Sequence, residues 1–182
     1  VAEYVLTCLM ILAQEEGWSP SDRRVGVVGM GNVGRQVAGL LQAAGFHVSG
    51  CDPFLASVPA VPLADIDTLL SSCDIICLHT PLTRDGLHPT WHLLDADRLS
   101  RMRTGQVLLN AGRGGVIDNQ ALVQRLQQPG PPLVILDVWE GEPLVMPELL
   151  AGVRLGTPHV AGYSQEGKWR GTAMVHEAFC RF

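Results

Sequence analysis

Six short apolar runs recur along the chain with longer amphipathic stretches between them, and no other feature narrows the fold so far. The runs are Arg24 to Gly29, His47 to Cys51, Asp74 to His79, Gln106 to Ala111, Leu133 to Val138 and Val153 to Gly156. Helical periodicity separates them at Val33 to Ala44, Ile66 to Ser72, Leu94 to Met102, Asn119 to Gln127 and Glu148 to Leu150, and Gln165 to Phe182 closes the chain. A further short strand fits Val61 to Leu63. Strands apolar on both faces, each followed by a helix, predict a parallel sheet covered on two sides, a doubly wound α/β fold. In such sheets ligands sit outside the carboxyl ends of the strands, so the residues just after each run are where chemistry is expected.

A length of 182 residues suits one domain with a real core. Hydrophobic residues at 47% against charged residues at 17% exclude a disordered chain. A net charge of −5 with no run of Lys or Arg gives no footprint for nucleic acid or an anionic membrane. The five cysteines, Cys8, Cys51, Cys73, Cys77 and Cys180, show no CxxC spacing and read as buried, reduced thiols of a cytoplasmic protein. The apolar stretch Tyr4 to Ala13 is about half of a bilayer span and reads as a core helix, with Val5, Leu6, Leu9, Leu12 and Ala13 on one face. Val1 and Phe182 both fall inside helical patterns, which reads as a piece of a longer polypeptide.

The first strand runs into Gly29-Met30-Gly31-Asn32-Val33-Gly34, which in turn opens a helix. This is the context of a dinucleotide-binding loop. Gly29 permits the tight turn, Gly31 lets the backbone approach a pyrophosphate, and Gly34 lets the helix pack on the strand. The free N–H groups of Asn32 and Val33 and the positive end of the helix favour the phosphates. Asp52 ends the next strand, 23 residues after Gly29, where a carboxylate accepts hydrogen bonds from ribose hydroxyls and repels a 2′-phosphate. NAD is therefore expected over NADP.

Three candidate groups follow three successive strands. Arg113 suits a carboxylate clamp, because a guanidinium binds carboxylate bidentately and stays charged. His159 suits acid–base work near neutrality, and Glu142 suits the partner that orients its imidazole. Asp137, at the end of an apolar run, needs a ligand dipole or backbone donors to be tolerated there, and the nicotinamide carboxamide is a natural match. Lys168 and Arg170 either approach an anionic substrate group or face solvent. His88 and His92 are four apart, but Pro89 opposes a helical metal pair, so no metal is expected.

The loop GMGNVG and the segments NAGRGGVID, LDVWEGEP and TPHVAGYSQEGKWRGT together resemble the D-2-hydroxyacid dehydrogenases that use NAD, over almost the whole chain. The resemblance implies catalysis by Arg113, Glu142 and His159. It places Thr80 and Asp137 on NAD, Gly162 beside it and Tyr163 on the substrate. The segments His79 to Asp95 and Thr157 to Thr172 point to a branch of the family whose substrate is a small phosphorylated 2-hydroxy acid. Related 2-hydroxy acids, or a NAD-sensing role without catalysis, are the alternatives. By the same resemblance, residues 1–16 are a linking helix at a homodimer interface, 24–160 the nucleotide-binding core, and 164–182 a helix leading back to a substrate domain that is mostly absent. Such a piece is expected to bind NAD without turning substrate over.

Overall fold

The computed structural model describes residues 1–181, and the expected helical position of Phe182 lies outside the described residues. Six parallel strands form one sheet: β1 (Arg24–Val28), β2 (His47–Cys51), β3 (Ile75–Leu78), β4 (Val107–Asn110), β5 (Leu133–Leu136) and β6 (Leu155–Gly156). Their order is β2-β1-β3-β4-β5-β6. The helices are α1 (Ala2–Glu16), α2 (Asn32–Ala43), α3 (Ile66–Ser72), α4 (Ala96–Ser100), α5 (Asn119–Leu126), α6 (Pro147–Gly152) and α7 (Gln165–Cys180). The doubly wound α/β fold expected from the sequence is the observed one.

The alternation of strand side chains explains why every run is apolar on both faces. Val25, Val27, Ile75, Cys77, Val107 and Leu109 point into a core shared with α1 and α2. Their neighbours Ile76, Leu78, Leu108, Val134 and Leu136 point into the opposite core, under α3, α4, α5 and α6. Val5, Cys8, Leu9, Leu12 and Ala13 of α1 are buried, whereas Met10 and Ile11 are exposed.

Boundaries differ from expectation where capping chemistry intervenes. Leu94 is drawn into a bridge with Ile117 and Asp95 takes the N-cap by accepting from Arg98 N, so α4 is shorter than the run Leu94 to Met102. Val153 is the C-cap of α6, which leaves β6 only two residues. The strand expected at Val61 to Leu63 is a single bridge, Gly50 to Leu63, in which Gly50 N donates to Pro62 O and Ala64 N to Gly50 O, and Pro62 has no N–H to extend the ladder. That bridge still lies beyond β2, where a third strand of a complete nucleotide-binding half would stand.

All five cysteines are free, but they are not uniformly buried: Cys51 is half-buried and Cys180 is exposed on α7. The reason is that α7 has no sheet beneath it, and none of its residues is buried.

Candidate active site

The carboxyl edge of the sheet gathers the loops after β1, β3, β4, β5 and β6. After β1, Gly29 adopts φ 91°, and a Cβ there would lie 2.8 Å from the His79 backbone. A Cβ on Gly34 would lie 1.8 Å from Gly29 O, so helix and loop are in backbone contact. At Gly31 a Cβ would meet nothing within 4 Å, so the space over the loop is open. Side chains cap α3, α4, α5 and α7, but α2 begins at Gly31 without a side-chain cap, which leaves its first-turn N–H groups available to an anion.

Asp52 binds locally, its Oδ2 accepting from Met30 N at 3.0 Å and its Oδ1 from Phe54 N at 3.1 Å. The carboxylate thus braces the glycine loop and keeps lone pairs for a further donor. Arg35, which sequence reasoning missed, donates from Nε to Met30 O at 2.9 Å and adds a positive charge beside the loop. After β3, Thr80 Oγ1 and both ring nitrogens of His79 are buried without a partner. An orphaned hydroxyl next to an open glycine cradle is what a site fitted to a dinucleotide shows.

Asp137 is only 1% exposed, and protein donors satisfy its charge. Its Oδ1 accepts from Thr157 Oγ1 at 2.6 Å and Val160 N at 2.8 Å, and its Oδ2 from Ala161 N at 2.9 Å. Because a carboxylate only accepts, Thr157 must donate to it and therefore accepts from Tyr4 O–H at 2.7 Å. Burial pushes the Tyr4 hydroxyl strongly upward, keeping it the donor. The Asp137 carbonyl accepts from His159 N at 2.7 Å, and His159 takes a left-handed φ of 56° that a side chain rarely adopts. These bonds curl residues 157–161 so that the His159 ring meets Glu142.

His159 Nδ1 lies 2.8 Å from Glu142 Oε2, and Glu142 Oε1 accepts from Trp139 N at 2.6 Å. Nδ1 therefore carries the proton and Nε2 is the free nitrogen. Arg113 is exposed, its Nη1 donating to Gly112 O at 2.8 Å, and buried Asn110 folds the loop by donating to Arg113 O and accepting from Gly112 N. A Cβ on Gly114 would fall 2.0 Å from Trp139 C, so the loops of Arg113 and Glu142 touch through backbone. The structure thus pairs two of the three expected catalytic groups directly and sets the third on the adjoining loop.

Asn32 and Val33 open α2, and Gly162 and Tyr163 precede α7; all four are exposed. Lys168 sits over the Tyr163 ring and bonds its hydroxyl, whereas Arg170 is exposed on the same helix. His88 packs edge-on against Phe54. His92 instead lies beside Asp118 and Glu140, so the two histidines do not share a site. Among the described residues no helix is long and apolar enough to cross a membrane.

The family model described as D-isomer specific 2-hydroxyacid dehydrogenase, NAD binding domain, matches residues 12–161. A protein of Pseudomonas paraeruginosa named erythronate-4-phosphate dehydrogenase is 50% identical over 99% of this chain and 48% of its own length. The chain spans about half the length of the curated relatives it matches. A D-isomer specific 2-hydroxyacid dehydrogenase from Xanthobacter autotrophicus, solved with NADPH and MES, has a TM-score of 0.75 at 30% identity, covering 90% of this chain and 75% of that one. A D-lactate dehydrogenase from Aquifex aeolicus, solved with NAD and lactic acid, has a TM-score of 0.73 at 28% identity, covering 90% of this chain and 55% of that one.

Two outcomes are expected from this geometry. Asp137→Asn turns its NH2 toward one of these donors, Val160 N or Ala161 N, and should cost about 2 kcal/mol or more in urea unfolding, with that amide losing exchange protection. Unchanged protection would show that the loop holds itself. Burial pushes His79 down to about 4 from its ordinary 6.5. The unfolded chain therefore takes up a proton that the folded chain refuses, and stability present above pH 6.5 falls as pH drops toward 4. His79→Asn should flatten that slope, and an identical slope in the variant would refute the assignment.

Proposed function

Because this chain belongs to the D-isomer specific 2-hydroxyacid dehydrogenase family, as its NAD-binding domain, we propose that the protein carrying it oxidises 4-phospho-D-erythronate at C2 to 2-oxo-3-hydroxy-4-phosphobutanoate, in the route to pyridoxal 5′-phosphate. The observation that carries the chemistry is the Glu142–His159 pair at 2.8 Å, on the same carboxyl edge of the sheet as the glycine loop. The substrate rests on the name borne by relatives about half identical to this chain.

NAD, held over Gly29–Gly34, supplies the hydride acceptor. His159 Nε2 takes the proton of the substrate hydroxyl, while Glu142 holds the ring by Nδ1 and stabilises the imidazolium that forms. In the reverse direction His159 returns that proton. Arg113 clamps the substrate carboxylate, a bidentate role that its exposed guanidinium leaves open. Asp52 accepts from the adenosine ribose and Thr80 Oγ1 from or to the cofactor. The unused capacity of Asp137 Oδ2 meets the carboxamide, Gly162 lies beside the cofactor, and Tyr163 touches the substrate with Lys168 on its ring.

Within this reading the protein is a cytoplasmic homodimer packed through α1, whose Met10 and Ile11 are exposed. Residues 164–182 lead to a substrate domain, onto which Trp169 and Phe179 of α7, 75% and 81% exposed, would pack. The 182-residue chain by itself binds NAD without turnover, since closure that excludes water needs that domain. The solved relatives acting on lactate favour one second reading, a dehydrogenase of another D-2-hydroxy acid. A NAD sensor without catalysis has no need of an assembled Glu142–His159 pair.

The test is turnover by the full-length protein on 4-phosphoerythronate, 3-phosphoglycerate and D-lactate with NAD. Preference for 4-phosphoerythronate is expected, and preference for either other acid would displace that substrate. His159→Asn should lower kcat by about 10²–10⁴-fold with NAD affinity nearly intact; retained turnover would remove His159 from catalysis.

A further inference from the structure

A second imidazole–carboxylate cluster lies behind the active-site pair and contains none of its members. Glu140 stands three residues after Asp137 and two before Glu142. Its Oε1 meets His92 Nε2 at 2.8 Å and its Oε2 accepts from Asn119 N at 3.2 Å. Glu140 N donates back to Asn119 Oδ1 at 3.3 Å, and Asn119 is buried. The other His92 nitrogen faces Asp118 Oδ2 at 3.6 Å, while His92 N donates to Gly115 O at 2.8 Å.

Glu140 is thus gripped from two directions. One grip comes from the start of α5, through Asn119. The other comes from His92, whose own backbone is fixed at φ 50° and bonded to the Arg113 loop at Gly115. That loop is also pressed against Trp139 and Glu140, since a Cβ on Gly114 would lie 2.4 Å from Glu140 N. Trp139 N, one peptide away, is the donor that holds Glu142 Oε1. Trp139 N lies in the preceding peptide, so a shift of Glu140 that drags the backbone of residue 139 with it would move the anchor of Glu142 and loosen its bond to His159 Nδ1. A cation shared by His92, Asp118 and Glu140 is a poorer account of the cluster: the 2.8 Å bond occupies its centre, and both carboxylates already accept backbone N–H groups, Asp118 from Ala121 and Glu140 from Asn119.

We propose that Glu140, gripped by His92 and Asn119, is a positioning residue that sets Glu142 against His159 and holds the Arg113 loop in register with both. The role rests on the reaction proposed above, but its first readout does not need substrate. In the full-length protein, 15N NMR reports the His159 tautomer: Nδ1–H in the native protein, shifting toward the Nε2–H form in Glu140→Ala. In the same variant kcat should fall about 10- to 100-fold while KM for NAD is unchanged, the mark of a misplaced catalytic group. Glu140→Gln should restore the tautomer, because its Oε1 accepts from Asn119 and its Nε2 donates to a His92 protonated toward Asp118. An unchanged His159 tautomer in Glu140→Ala overturns the proposal, whether or not activity falls. If Glu140→Ala does not fold, His92→Gln is read in the same way: the same tautomer shift supports the role and an unchanged tautomer overturns it. Absence of turnover in the unsubstituted protein would remove the proposed reaction and leave the tautomer result to judge the positioning.

Discussion

The buried carboxylate of Asp137 is the interaction on which the site depends. A charge at 1% exposure is tolerable only with strong donors, and it has three, from Thr157, Val160 and Ala161. Each donor belongs to the segment after β6, so satisfying the charge dictates the path of that segment. With the Asp137 carbonyl accepting from His159 N, carboxylate and backbone of one residue together force His159 into its left-handed turn. A strained φ costs of order 1–3 kcal/mol, and the charge-assisted bonds around it are large enough to hold it.

The parallel sheet supplies the other half of the arrangement. Strand order places β4, β5 and β6 side by side, so the loops carrying Arg113, Glu142 and His159 emerge in sequence along one edge. The glycine loop after β1 lies on the same edge, separated from them by β3. The glycine loop and the candidate acid–base pair thus share one edge because of topology, and the local bonds of Asp52, Asn110, Trp139 and Asp137 only refine the placement. Glycine serves backbone contact at Gly34 and Gly114, where a side chain would collide with neighbouring main chain.

Much of this was legible in the sequence. Apolar runs buried on both faces gave the sheet, because side chains of β3 and β4 alternate between two cores. The glycine spacing and the positions of Arg113, Glu142 and His159 just after strands gave the candidate site. What could not be read were features decided by tertiary partners. Leu94 has helical periodicity but is taken by a bridge to Ile117, and Cys180 looks like a core residue on a helix that has no sheet beneath it. Thr157, Tyr4, Asn119 and Glu140 carry no local signature, since each acts through a residue distant in sequence. Asp137 was expected to meet either a ligand or backbone donors; the donors are there, and they belong to the loop that carries His159.

The most direct measurement is a crystal structure of the protein with NAD bound. The account predicts the pyrophosphate over Gly29–Gly34, hydrogen bonds to the first turn of α2, and the nicotinamide beside His159 with residues 157–161 unmoved and Asp137 still binding Val160 and Ala161. A nicotinamide directed away from the Glu142–His159 pair, or a 157–161 loop that leaves Asp137 when NAD binds, would contradict it.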